Sequence, residues 1–264
     1  MAAGMSSRFG GKIKQFAKIG MHGETLMEYS MNQAISAGFT KIIFVVGSMT
    51  ERPFREMFGN SYRGIPVLYA KQTFNPEERD KPWGTMDALC AIKEVCDCPF
   101  VVCNGDDIYG ENAFITMAEH LRKNDEEATL GYQLLSAIPE KGKSNRGIFE
   151  VKNGYVQSLR EVFDIDRENL QNSGLEGNEL CSMNCFAMHP STLKMLNQVL
   201  EKFKGEHEGD RKIECLLPAE IGNLIKSGKI KMRVYPTKDR WFGVTSPEDE
   251  EIVRREIEKI ESGK

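Results

Sequence analysis

The sequence lacks the features that mark several specialised classes of protein. No apolar run approaches the roughly 18 residues that a membrane-spanning helix needs, and none forms the apolar stretch of a signal peptide, so a soluble, cytoplasmic protein is expected. An excess of one charge is missing too. The 35 Lys and Arg stand against 39 Asp and Glu, giving a net charge of −4, whereas nucleic acids and anionic membranes reward a concentrated positive field. Histidine is scarce: His22, His120, His189 and His207 are scattered, and no Ser or Cys beside them resembles a nucleophile elbow or a protease dyad. The 7 cysteines are odd in number and lack paired CxxC spacing, so they read as reduced small hydrophobes rather than as disulfides or a zinc site. Repeats, low-complexity tracts and a clean linker are absent, which leaves a single unit over residues 1–264.

What is present is an alternation of β-branched apolar runs with helical patterns, the mark of an α/β domain with a mostly parallel sheet flanked by helices. Strands are predicted over Lys41 to Val46, Pro66 to Lys71 and Pro99 to Cys103, with helices at about Thr25 to Ala37, Glu51 to Phe58 and Thr85 to Val95. A helix over Glu111 to Lys123 and a strand over Ala128 to Leu135 follow. Two short strands, Gly147 to Val151 and Tyr155 to Leu159, are joined at Asn153-Gly154, where both residues tolerate positive φ. The polar stretch from Asp164 to Glu179 reads as a mobile loop, and Leu180 to His189 as a strand entering a helix at Pro190. A late strand spans Ile230 to Tyr235, and Ser246-Pro247-Glu248-Asp249 starts a terminal helix.

Two segments carry chemistry. The first is the loop Gly4-Met5-Ser6-Ser7-Arg8-Phe9-Gly10-Gly11, followed by Lys12 and Lys14. Small residues let successive N–H groups approach an anion, and nearby cations complete a polyphosphate cradle. It is neither GxGxxG nor a P-loop, since Ile13 follows Lys12. Taken alone, such a loop fits a solvated turn equally well. The second segment, Asn104-Gly105-Asp106-Asp107, follows an apolar strand directly. Ligands of open α/β sheets bind beyond the carboxyl ends of strands, where a carboxylate can hold Mg²⁺ against phosphates.

The run Ala2-Ala3-Gly4-Met5-Ser6-Ser7-Arg8, then Lys14-Gln15-Phe16, resembles the signature loop of the nucleotidyltransferases that make nucleotide sugars and related activated alcohols. Lys14 to Gly20 and Thr25 to Tyr29 are also similar to methylerythritol phosphate cytidylyltransferases and sugar-phosphate uridylyltransferases. Further matches at Gln72, Gly84-Thr85, Gly105-Asp106, Gly147, Glu161 and Asn184 extend the resemblance over nearly the whole chain. It implies a Rossmann-like nucleotidyltransferase fold with a small β-hairpin acceptor-binding subregion, residues 1–110 forming mainly the NTP half and 111–264 mainly the acceptor half. The implied reaction is transfer of a nucleoside monophosphate from an NTP to a sugar-1-phosphate or similar phosphorylated acceptor, with release of pyrophosphate.

The resemblance also implies residue roles. Arg8 and Lys14 would be catalytic, with Ala3, Gly4, Met5, Ser6 and Ser7 holding the nucleotide. Gln72, Gly84 and Thr85 would meet the base, and Gly147, Glu161 and Asn184 the acceptor. Asp106 would bind Mg²⁺, and Asp107 would point away or support it. Ile13 replaces the proline expected before the lysine, leaving Lys12 and Lys18 as competitors of Lys14. Val162 stands where many sugar-activating relatives carry Lys. Near the C-terminus the family frame Trp-x-Asp reads Trp241-Phe242-Gly243, so Asp239 is taken as the second metal ligand. A homo-oligomer is compatible with the sequence, as are two other functions: a nucleotide-sugar-dependent glycosyltransferase, and a nucleotide-binding regulatory protein with impaired turnover. The phosphate loop begins at the first residues, where a buried strand of roughly five to six residues is expected to precede it, so Met1 reads as an internal methionine taken as a start.

Overall fold

The structure is a computed structural model that describes residues 1–4, 13–139, 142–244 and 249–262. Among the described residues the chain first forms a 3-10 turn, Lys14–Phe16, and then helix α1, Leu26–Ser36. Thr25 starts α1 with a capping box: its hydroxyl accepts from the Glu28 N–H, and the Glu28 carboxylate accepts from the Thr25 N–H at 2.9 Å. Strand β1 (Ile42–Val46), α2 (Glu51–Phe58), β2 (Ser61–Tyr62) and β3 (Ile65–Lys71) form a first unit, in which β1 pairs parallel with β3. Next come α3 (Thr85–Cys90), a 3-10 turn over Ala91–Glu94, β4 (Phe100–Val102), β5 (Asp107–Ile108) and α4 (Ala113–Lys123).

The second half opens with β6 (Glu127–Gln133) and the single turn α5 (Leu134–Ala137). The hairpin β7 (Lys143–Lys152) and β8 (Tyr155–Asp166) turns at Asn153 and Gly154, whose φ angles of 54° and 79° match the expected turn. A 3-10 segment, Arg167–Ser173, leads to β9 (Leu180–Ser182) and β10 (Phe186–Met188). The chain ends with α6 (Pro190–Glu206), α7 (Leu217–Lys226), β11 (Met232–Pro236), β12 (Phe242–Gly243) and α8 (Asp249–Glu261).

The mixed α/β class is as expected, but strand directions differ from a mostly parallel sheet. Among the described residues the strands β11-β8-β7-β9-β6-β10-β4 form one sheet in which only β11 and β6 run parallel. The β7–β8 hairpin supplies part of the antiparallel pairing. Its arms extend well beyond the two short strands expected, with Ser144 opposite Ile165 and Lys143 opposite Asp166. Ile165 is fully buried, so the start of the polar stretch read as a loop is held in β8, and its continuation coils into the 3-10 segment. Likewise, the expected strand from Leu180 breaks at Asn184, which has a φ of 59°, and its two pieces both pair with β6 while β9 also pairs with β7 and β10 with β4.

The main core lies between this sheet and α3, α6 and α7, with Met86, Leu89, Phe186, Met188, Leu196 and Ile221 at its centre. A second cluster packs α4 on the opposite face through Phe114, Met117 and Leu130. Strands β1 and β4 each end a sheet, and Met1 and Ala2 bind to both at their carboxyl ends. The Ala2 N–H donates to Val45 O at 2.7 Å, and Met1 O accepts from the Gly105 N–H at 2.8 Å. Carboxyl ends of the two sheets are thereby drawn together, and the candidate site is built there.

Candidate active site

Lys14 and Asp106 meet. The 3-10 turn sets Lys14 beside the carboxyl end of β4, and its Nζ forms an ion pair with Asp106 Oδ2, both side chains being about one-fifth exposed. Of the three competing lysines, Lys18 is exposed and Lys12 lies outside the described residues. Arg8, Met5, Ser6 and Ser7 also lie outside the described residues. Ala3 and Gly4 follow the bridge to β1, and the Thr50 hydroxyl donates to Ala2 O at 2.9 Å, fixing where the loop begins.

Asp107 faces inward. It accepts from Asn104 Nδ2 at 3.0 Å, and the Tyr109 hydroxyl lies 3.3 Å away. Burial, with the neighbouring Asp106 charge, pushes the Asp107 carboxyl up to about 7. Two adjacent carboxylates, one open and one buried, raise each other's energy, and a cation beside them relieves that repulsion. The donor set therefore fits a hard divalent ion at Asp106. Among the described residues, no cluster of three or more His, Cys, Asp or Glu side chains is placed to hold a metal.

Asp239, the expected second ligand, stands at the start of α4. Its carboxylate accepts from the Asn112 N–H at 2.8 Å and from Asn112 Nδ2 at 3.1 Å, satisfying donors at the start of α4. Gly243 instead pairs with Asp107 across β12 and β5. A Cβ on Gly243 would lie 3.1 Å from Asp107 Oδ1 and 2.7 Å from the Trp241 ring, so a side chain there requires the ring to move.

Tyr109, outside the motifs, braces the carboxylate turn. Fully buried, it accepts from the Asn104 N–H at 2.9 Å and reaches Met183 O at 2.9 Å, tying the carboxylate turn to the segment before Asn184. Its only sequence signal is an aromatic residue with a polar tip directly after the acidic turn.

On the acceptor side three strands bring the expected residues together. Gly147 on β7 stands opposite Glu161 on β8 and Ser182 on β9. A Cβ on Gly147 would meet Leu159 at 2.8 Å and Glu161 Oε2 at 3.4 Å, so glycine keeps the face of Glu161 open. Burial pushes the Glu161 carboxyl up, partly offset by the Arg146 charge. Arg146 itself is held by Ala137 O at 2.9 Å and lies 5.1 Å from the Trp241 ring centre. Asn184 takes its left-handed backbone one residue past Met183, with its N–H donating to Ser182 Oγ at 3.2 Å.

Gln72, Gly84 and Thr85 also converge, at the end of β3. Gln72 Nε2 donates to Gly84 O at 3.0 Å and to Asp87 Oδ2 at 2.9 Å. Gly84, at φ 97°, approaches so closely that a Cβ would lie 2.7 Å from Cys215 O. The Thr85 hydroxyl accepts from the Leu217 N–H at 2.9 Å, so it starts α7 and is engaged within the protein. The inserted stretch Thr73 to Pro82 is anchored by Arg79, which is buried and donates to Asp210 O and Ile213 O, each at 2.5 Å.

The nucleotidyl transferase family model matches residues 11–183, and the chain belongs to that family. A search of curated proteins finds no match. Among solved structures, one described as a glucose-1-phosphate thymidylyltransferase from Bacillus anthracis, in complex with sucrose, is 13% identical with a TM-score of 0.72, covering 97% of this chain and 92% of that one. The inositol-1-phosphate CTP transferase from T. maritima is 14% identical with a TM-score of 0.69, over 99% and 94% of the two chains. A UDP-glucose pyrophosphorylase complexed with UDP-glucose is 16% identical with a TM-score of 0.68, over 98% and 97%. At these identities the likeness shows the fold: the Rossmann-like α/β fold of nucleotidyltransferases.

Proposed function

We propose that the protein transfers a nucleoside monophosphate from an NTP to a sugar-1-phosphate or a similar phosphorylated acceptor. An acceptor phosphate oxygen attacks the α-phosphorus in line. The new Pα–O bond forms as the bond from Pα to the bridging oxygen breaks, and pyrophosphate leaves. The observation that carries this reading is the Lys14–Asp106 pair, set just past the end of β4, in the turn that Tyr109 ties to Met183 O.

Such a reaction needs positioning and charge neutralisation more than covalent help. Lys14 supplies a mobile positive charge between the two phosphates as negative charge builds. Arg8 and the N–H groups of residues 3–7 hold the β- and γ-phosphates. Glu161 accepts from acceptor hydroxyls, and Asn184 offers both a donor and an acceptor. Asp106 would hold Mg²⁺, which when bound neutralises charge on the polyphosphate. Residues 1–110 thus act mainly on the NTP and 111–264 mainly on the acceptor. A nucleotide-binding regulatory role is the second reading, favoured by Gly243 at the place where a further carboxylate would face Asp107.

Pyrophosphate release from an NTP panel, with and without a sugar-1-phosphate panel, tests the proposal. Acceptor-dependent release supports it. Nucleotide binding with no release from any pair supports the regulatory reading.

A further inference from the structure

Arg146 stands just outside the large sheet. Its neighbour Gly147 ends the pairing of β7 with β9, so at Arg146 the hairpin is two strands wide. The register slips between Ser144 and Arg146, and a bulge of this kind re-aims the side chains beside it. Across the hairpin Arg146 pairs with Val162, which is buried and offers its charge nothing. One edge of the half-buried guanidinium is engaged: Nε and Nη2 both donate to Ala137 O, at 2.9 and 2.5 Å, and Nη1 donates to Asn145 O at 2.8 Å. Its hydrogen-bond partners among the described residues are thus backbone carbonyls, and no carboxylate there forms an ion pair with it. Of its five N–H groups, one on Nη1 and one on Nη2 remain. Taking a cation from water is offset fully only by a partner charge. Burial accordingly pulls the Arg146 pKa down, opposed in part by Asp107 and Glu161.

The place is the candidate site itself. A Cβ on Gly243 would lie 2.7 Å from the Trp241 ring and 3.1 Å from Asp107 Oδ1, so that ring reaches the carboxylate turn, and the guanidinium lies 5.1 Å from its centre. On the other side Arg146 adjoins the Gly147–Glu161 pair.

We infer that Arg146 takes up the phosphate of the acceptor, its two remaining N–H groups meeting two phosphate oxygens in the planar fork that suits them. The anion then stands between the carboxylate turn and Glu161, and supplies the partner charge that the protein withholds. An unphosphorylated acceptor of the same shape lacks that anion and leaves the cation unanswered, so Arg146 selects for the phosphorylated form. The inference rests on the proposed function in taking the Gly147–Glu161 face as the place of the acceptor.

Calorimetric binding of glucose-1-phosphate, N-acetylglucosamine-1-phosphate and inositol-1-phosphate to the full chain, each beside its unphosphorylated form, tests it. Because binding is read without an NTP, a failed nucleotidyl-transfer reading shows separately, as Arg146-dependent binding with no acceptor-dependent pyrophosphate release. The unaltered protein is expected to bind at least one phosphorylated probe about tenfold or more tighter than its unphosphorylated form. Arg146→Ala should reduce that preference to within about threefold, and Arg146→Lys, which keeps the charge but not the fork, should recover part of it. Guanidinium chloride, added to Arg146→Ala well below denaturing concentration, should restore the preference by refilling the emptied site, which it could not do for a loss of fold. No preference for any phosphorylated probe, or a preference unchanged in Arg146→Ala, would overturn the inference. So would a loss that accompanies a fall in melting temperature and is reversed by neither guanidinium nor Arg146→Lys, since that result assigns Arg146 to structure alone.

Discussion

Lys14 and Asp107 show how neighbouring residues divide the work of one site. Lys14 sits on a short turn with Asp106 as its partner, so its charge is poised and still partly open to a ligand. Lys14→Ala and Asp106→Asn are each expected to lower turnover by about 10²- to 10³-fold with melting temperature nearly unchanged, checked by steady-state kinetics beside calorimetry. Asp107 has the opposite character. Held at about 7 in the folded chain, it keeps its proton there while the unfolded chain loses it near pH 4. The folded state thus binds the extra proton between those values, and stability falls as pH rises across that window before levelling off. Asp107→Asn removes this dependence. In the presence of a chelator the variant should be more stable than the unaltered protein at pH 8 by on the order of a few kcal/mol, with the gain vanishing at pH 4 and below.

At the scale of elements, what was legible in the sequence follows from how local its cause is. The helix start at Thr25 and the Asn153-Gly154 turn involve only near neighbours, and both form as read. Helix α7 was overlooked although its signal is present: Pro218 in the first turn, with Leu217, Ile221 and Leu224 at helical spacing and buried. The extra length of β7 and β8 was not legible, because polar residues enter a strand there only by pairing across the hairpin. That Lys14 meets Asp106 and that Gly147 faces Glu161 follows from spacing along the chain less than from pairing across it, and the Asp239 contact with Asn112 of a different element is equally non-local. The bonds of the Gln72 amide to Gly84 O and Asp87 were equally hidden, being made between separate elements. Gly84 is the tightest of these junctions. Gly84→Ala forces a Cβ toward Cys215 O at a φ that disfavours it, and should lower the melting temperature by about 3–10 °C.

Over the whole molecule, two sheets end at β1 and β4 and are joined at their carboxyl ends by Met1 and Ala2. A second tie runs through the inserted stretch, where Arg79 lies 3.5 Å from the Trp83 ring centre and donates to carbonyls of the segment before α7. Arg79→Ala would take the donor from both half-buried carbonyl contacts and leave the Trp83 ring uncovered, and the melting temperature should drop by roughly 5–15 °C, measured by differential scanning calorimetry. The central claim is that this frame brings an NTP and a phosphorylated acceptor together over Lys14. Its most direct test is formation of a nucleoside diphosphate sugar from an NTP, Mg²⁺ and a sugar-1-phosphate, followed by mass spectrometry for the unaltered protein and for Lys14→Ala. Acceptor-dependent product with the first and about 10²-fold less or lower with the second is the predicted result. Equal rates in the two proteins, or no product from any acceptor, would contradict it.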